Sequence, residues 1–240
     1  MTNRVYRGCS LRAIGIGLAL VAFMSIAIPW GDMIIKGSQM GVWNTNPGSI
    51  FLFFVLVAIF NSLVGLLRRS WALDSGELAV IYIMLLVANT LPARGFAAYV
   101  PAVATGAFYY ATPENNWKEQ VWPYLPEWAT VQDESAVRQY YEGAEMGMGV
   151  PWDAWVIPLV CWMLFGLSMY LVMISLSVIL RRQWVERERL VYPMMQLPQH
   201  MLREDKDGHK PFFRSWAMWL GFLLPCIIVN ANALHSYYEF

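Results

Sequence analysis

The 240-residue sequence is 58% hydrophobic and 14% charged, with a mean hydropathy of +0.41 and zero net charge. Soluble domains carry about 25% charge, so the composition points away from a soluble domain and towards a multi-span membrane protein. No basic groove interleaved with aromatics is present, which argues against nucleic acid as a partner.

The N-terminus carries Arg4, Arg7 and Arg12, followed by an apolar run from Ala13 to Pro29. A signal peptide has a similar pattern. However, Ile28-Pro29-Trp30-Gly31-Asp32 follows, not a small-x-small cleavage site, so the run reads as a retained first span (13–29) with a cytoplasmic N-terminus. Residues 31–48 form a short outer loop, with turn chemistry at Asn44-Thr45-Asn46-Pro47-Gly48. The second span, 50–67, ends at Arg68-Arg69, which mark the cytoplasmic side. Asn61, Ser62 and Gly65 inside it read either as a helix-packing and hydrogen-bonding seam or as polar groups lining a pathway.

Asp74-Ser75-Gly76-Glu77 has the form of a capping box and opens the third span, 77–92. That span ends in Asn89-Thr90-Leu91-Pro92-Ala93-Arg94-Gly95. At helical rise Asn89 lies about 18 Å from Glu77 and Arg94 about 26 Å, against a hydrocarbon core of about 30 Å. Pro92 and Gly95 break the helix there. Arg94 either holds a carboxylate or phosphate near the outer entrance or snorkels to headgroups.

The next apolar piece, 96–111, either crosses fully or dips in and returns. Charge decides between these readings. If it returns, three basic residues of the N-terminus, Arg68, Arg69 and the eight of residues 181–214 lie inside, thirteen of seventeen. Lys36, Arg94, Lys118 and Arg138 remain outside. A full crossing would put the arginine-rich segment outside, against the positive-inside rule. Residues 96–111 are therefore expected to be re-entrant or peripheral, a geometry tolerated only where protein or a water-filled cavity satisfies the backbone.

Residues 112–153 form an acidic extracytoplasmic loop, with eight acids against Lys118 and Arg138, and with Trp117, Trp122, Trp128 and Trp152. Thr112-Pro113-Glu114 suggests a helix near 113–122, and a second amphipathic helix is expected near 133–145. The loop reads either as a lid lying on the interface through its aromatics or as a cap over a substrate entrance. A long span follows, 154–180, apolar from Trp155 to Leu180 and about 39 Å as a helix. Ser168 and Ser175 share one face of it, as in a packing seam. It breaks into Arg181-Arg182-Gln183-Trp184-Val185-Glu186-Arg187, where Arg182 and Glu186 can pair. The cytoplasmic segment 181–213 holds Met194, Met195, Leu197, Met201 and Leu202, the pattern of a surface helix, with Pro193 and Pro198 expected to prevent one unbroken helix. A last span lies within 214–240. The fold class is thus all-α: a polytopic helical membrane protein of about five transmembrane helices plus one re-entrant or peripheral segment.

Chemistry is sparse. Glu77 and Asp153 sit at helix ends, where capping or interfacial roles fit. Cys9, Cys161 and Cys226 are scattered and imply no disulfide or metal framework. No HExxH, P-loop, GxSxG or CxxC occurs, so no cofactor, metal or catalytic residue is expected, and the chain does not read as an enzyme. The broken element is what remains. Discontinuous helices build substrate sites in secondary transporters, which makes Asn89, Thr90 and Arg94 the candidate substrate-binding residues.

Three stretches, Trp71-Ala72-Leu73-Asp74-Ser75-Gly76-Glu77-Leu78, Phe108-Tyr109-Tyr110-Ala111-Thr112-Pro113-Glu114-Asn115 and Arg181 through Leu190, resemble a family of uncharacterised bacterial polytopic membrane proteins. That family is similar at a distance to the oligopeptide transporter superfamily, whose acidic-to-Tyr-Pro segment Glu188-Arg189-Leu190-Val191-Tyr192-Pro193 also resembles. After Asn46-Pro47-Gly48 the chain continues Ser49-Ile50-Phe51 and departs from the superfamily's longer motif, which weakens any carry-over of a peptide substrate. The resemblance implies the N-terminal part of a longer secondary transporter in a bacterial inner membrane. Its partners would be the lipid bilayer, a small-molecule solute, and further spans or subunits. A non-transporting membrane scaffold that binds partner proteins is the alternative.

Overall fold

The computed structural model describes residues 9–34, 47–89, 96–144, 147–203 and 211–238. Among these residues the regular structure is helical, with no strand. They fall into two units, one within Met1–Thr90 and Tyr192–Phe240, the other within Leu91–Val191.

The first unit begins with α1 (Leu11–Pro29), whose N-terminus is capped by Ser10: its hydroxyl accepts from the Ala13 N–H. A π-turn, Trp30–Ile34, follows. Next come α2 (Pro47–Val55) and α3 (Asn61–Leu67), joined without interruption by a π-turn at Leu56–Phe60. A tight connection then leads into α4 (Ser75–Ala88), which carries the expected capping box: the Asp74 carboxylate accepts from the Glu77 N–H, and the Glu77 carboxylate accepts from the Asp74 N–H.

α4 is the centre of this unit. Leu78, Ile81 and Leu85 are fully buried, and Tyr82 and Ala88 nearly so. It runs parallel to α1, because Ser10 meets Glu77 at one end while Gly17 meets Met84 two turns on. A Cβ on Gly17 would lie 2.5 Å from the Met84 sulfur, so the flexible end of Met84 packs into the space that the missing side chain leaves. α2 and α3 run antiparallel to α4. The Ser49 hydroxyl donates to the Leu85 carbonyl, the Phe53 and Tyr82 rings lie 4.8 Å apart, and Asn61 reaches Leu73.

The second unit holds α5 (Phe96–Tyr109), the four-residue α6 (Trp117–Gln120), α7 (Glu134–Glu142) and α8 (Trp152–Arg181). α8 continues into a π-turn, Arg182–Arg187, where Arg182 and Glu186 pair at 3.7 Å as expected. Val131, Ala136 and Val137 of the loop form a core with Ala104 of α5 and Trp155 of α8. Asp133 caps α7 by accepting from the Ala136 N–H, and Gly143, at φ 94°, ends it in a conformation that suits glycine. The helix expected near 113–122 shrinks to α6 and a 3-10 turn, Trp122–Tyr124. The cause is local. The Asn115 side-chain oxygen takes the N–H groups of Thr112 and Trp117, and Asn116 sits in the left-handed region at φ 51°, which no helix can continue through.

The chain returns to the first unit with α9 (Pro193–Leu202), α10 (Pro211–Arg214) and α11 (Trp216–Tyr238). Pro198 does not break α9 as expected. It is the sixth residue of a helix that begins at Pro193, past the four N–H groups left free at a helix start, so the helix forgoes one backbone bond and still runs on to Leu202. The Ser75 hydroxyl donates to the Leu202 carbonyl at 3.1 Å, so the end of α9 lies beside the start of α4.

Three stretches, Leu11–Pro29, Pro47–Leu67 and Trp152–Arg187, are long and apolar enough to cross a membrane. That is fewer than the expected five among the described residues. α4 stops after 14 residues at Asn89, which takes over as its C-terminal cap. α11 is 23 residues long, with Asn230, Asn232 and His235 in its last turns.

Candidate functional site

Both ends of α4 carry polar groups, and they differ in kind. At its N-terminal end Glu77, 6% exposed, is a hub. One carboxylate oxygen accepts from the Ser10 hydroxyl at 2.5 Å, the other from the Arg12 guanidinium at 2.6 Å. Arg12 also donates to the carbonyls of Trp71 and Ala72, so the same side chain ties down the connection before α4. The caps of two parallel helices, Ser10 and Asp74, therefore converge on one carboxylate, where both helix dipoles favour negative charge. Asn61 completes this end: it donates to the Leu73 carbonyl and accepts from the Leu73 N–H at 2.7 Å. Every one of these contacts fastens a turn, so Asn61 and Glu77 read as architecture.

The capping box was legible in the sequence. The participation of Ser10 and Arg12 was not, although Ser10 directly before an apolar run is a cap signal. No local pattern reports that two helix starts 67 residues apart will be neighbours.

At the other end of α4 lies the predicted site. Asn89 is 2% exposed, and its N–H donates to the Leu85 carbonyl. Ser49, fully buried, donates to that same carbonyl from α2. The end of α4 is thus a buried polar corner built by two helices. Thr90 and Arg94 lie outside the described residues, so of the three candidates the structure positions Asn89 alone.

A third feature lies between α2, α9, α10 and α11. It is an apolar cavity of about 450 Å³. Ile50, Phe51 and Phe54 of α2 form one wall; Leu197 and Met201 of α9 form another. Phe212 of α10 and Met218, Gly221 and Phe222 of α11 close the rest. Phe54 stacks on Phe222 at 4.8 Å, with Trp219 edge-on at 6.3 Å. No sequence signal pointed here, because the wall comes from four segments whose apolar residues read as ordinary span and surface-helix faces.

In the second unit the loop is fastened to its helices by indole hydrogen bonds in both directions. The Trp122 indole N–H donates to Ala107 of α5 and the Trp162 indole N–H of α8 donates to Ala129, while Tyr109 and Tyr141 stack at 4.0 Å. Ser168 and Ser175 donate to carbonyls of their own helix. Among the described residues no group of three His, Cys, Asp or Glu side chains could hold a metal.

Neither a curated protein nor a solved structure matches the chain. The match to a sequence family that does exist covers nearly all of it and carries no link to the oligopeptide transporter superfamily or to bacteria. The chain belongs to a family of unknown function (DUF6785), which it matches over residues 3–239.

Proposed function

We propose that the chain forms part of the membrane pathway of an oligopeptide-transporter-like secondary transporter, which moves a small solute across a bacterial inner membrane. The observation that carries this reading is the buried end of α4. The helix is about 21 Å long, its start is fixed by Arg12 and Glu77, and a bilayer core is about 30 Å thick. Its last carbonyls and Asn89 therefore fall inside the membrane thickness, in protein and not in lipid. A helix that stops at such a depth is the element from which transporter sites are built. Thr90 and Arg94 follow directly in the chain and complete the proposed substrate path, with the loop 112–153 as its cover.

The orientation belongs to the same proposal: about five spans, a cytoplasmic N-terminus, an extracytoplasmic loop 112–153 and a re-entrant segment 96–111. The Ser75–Leu202 hydrogen bond supports it, since it holds the segment after α8 at the end of the unit where α1 and α4 begin. The test is uptake of a panel of radiolabelled small solutes, short peptides among them, by proteoliposomes holding the protein. Asn89→Ala and Arg94→Ala are expected to abolish uptake at unchanged reconstitution. Uptake equal to that of the natural sequence in both variants would exclude this site.

A second reading, a membrane scaffold, has one specific observation in its favour. Along α8 only Trp155 and Pro158 are buried, which leaves a long apolar helix open to further spans or subunits. Recovery of a stoichiometric partner, with no solute uptake by the reconstituted protein, would favour it.

A further inference from the structure

We infer that the cavity between α2, α9, α10 and α11 is a binding site for one acyl chain of a membrane phospholipid. Three observations carry this. First, every side chain that lines it is apolar, whereas solute pockets place a few polar side chains among apolar ones. Water has too few partners there to fill it. Second, two of the walls are the apolar helices α2 and α11, so lipid is the apolar molecule at hand. Phe51 at the rim is 48% exposed, and Gly221 meets no atom within 4 Å of an added Cβ, which leaves an opening on the side of α11. Third, the two elements that close the cavity end in exposed arginines. Arg203 follows α9 directly and Arg214 ends α10. Basic side chains next to an apolar groove suit a lipid that offers a chain and a phosphate together.

The site also differs from a bare lipid-facing surface. Met201, from the surface-like α9, is 2% exposed and forms part of the floor. The Phe54–Phe222 stack fixes the spacing of α2 and α11 beside it, so the cavity is walled on several sides and persists between two packed helices.

This inference rests on α2 and α11 lying in the bilayer, as proposed above, and is independent of solute transport. The experiment is photolabelling in nanodiscs, with the full-length protein and a phospholipid bearing a diazirine in its acyl chain; labelled peptides are mapped by mass spectrometry. Label is expected on the α2 and α9 peptides containing Phe54 and Met201, and Gly221→Trp is expected to abolish it. Label on the exposed face of α8 around Leu171 reports insertion and is expected to stay unchanged. Replacing both Arg203 and Arg214 by Gln is expected to weaken selection of anionic over zwitterionic probe by about fivefold for each arginine. Equal labelling of Phe54 and Met201 in Gly221→Trp, with α8 labelled normally, would overturn the inference. So would absence of label at Phe54 and Met201 in the natural sequence, which would mean that another part of the protein fills the cavity. Loss of label at both α8 and the cavity would instead contradict the membrane assignment itself.

Discussion

α4 and α8 are both apolar helices, yet they meet opposite surroundings. α4 buries Leu78, Ile81 and Leu85 completely and is held at its start by a charged hub. α8 leaves Leu164, Leu167, Leu171 and Ile174 more than half exposed and buries little beyond its first turns. Apolar composition therefore assigns neither helix its neighbours, since lipid tails are as apolar as a protein core. What separates them is the chemistry at the ends and the small residues between. Gly17 leaves room for the end of Met84, and Glu77 binds two helix starts. α8 instead ends in arginines, with one exposed ion pair between Arg182 and Glu186.

The contrast can be broken at its strongest point first. Glu77→Ala removes the acceptor for Ser10, Arg12 and the Asp74 N–H together. Because the carboxylate is buried while Arg12 is partly solvated, the expected loss is about 2–4 kcal/mol. It would be read as a lower Tm in detergent and as new protease sensitivity near Ala72. Glu77→Gln, which keeps the shape and part of the bonding, is expected to lose less. A Tm unchanged in both would mean that the hub does not hold α1 to α4.

The second unit should respond to loss of an indole donor. Trp162→Phe keeps most of the ring but leaves the Ala129 carbonyl without its 2.8 Å partner. The expected cost is about 1–2 kcal/mol, seen as faster proteolysis between residues 112 and 142. Protection of the first unit should not change.

The smallest effect concerns the cap of α7. The Ser135 hydroxyl, and after it the Ala136 N–H, hold the Asp133 carboxyl below the ordinary aspartate range. A depressed folded-state value means the contribution is present above the unfolded aspartate range and is lost as pH falls through the folded one. Protease nicking around Asp133 is therefore expected to rise on acidification below the ordinary aspartate range. Asp133→Ala, at a cost of about 1 kcal/mol, should remove that pH dependence. A variant with the same acid response would rule out the cap as its source.

Much of the local grammar was readable in the sequence. Asp74 and Glu77 announced their capping box, residues 133–145 a second helix and Arg182 its partner. The errors arose where a side chain competed with the expected backbone pattern. Asn115 and Asn116 diverted the chain after Pro113 into turns, and Pro198 sat where a helix could absorb it. What no local pattern carried was long-range pairing. Ser10 with Glu77, Ser75 with Leu202 and Phe54 with Phe222 each join segments far apart in the chain. For the same reason the predicted site was only partly legible. The polar turn from Asn89 to Gly95 could be read from the sequence, whereas the packing of Ser49 against the end of α4 could not.

The orientation that underlies the transporter proposal is tested most directly by cysteine accessibility in intact cells. The background would be the full-length protein with Cys9, Cys161 and Cys226 replaced by serine. Single cysteines would stand at the exposed positions Glu127, in the loop, and Arg203, after α9. A membrane-impermeant maleimide is expected to label position 127 at once and position 203 only after permeabilisation. Label at 203 but not at 127 in intact cells, or equal label at both, would contradict a re-entrant segment at 96–111 and the site built on it.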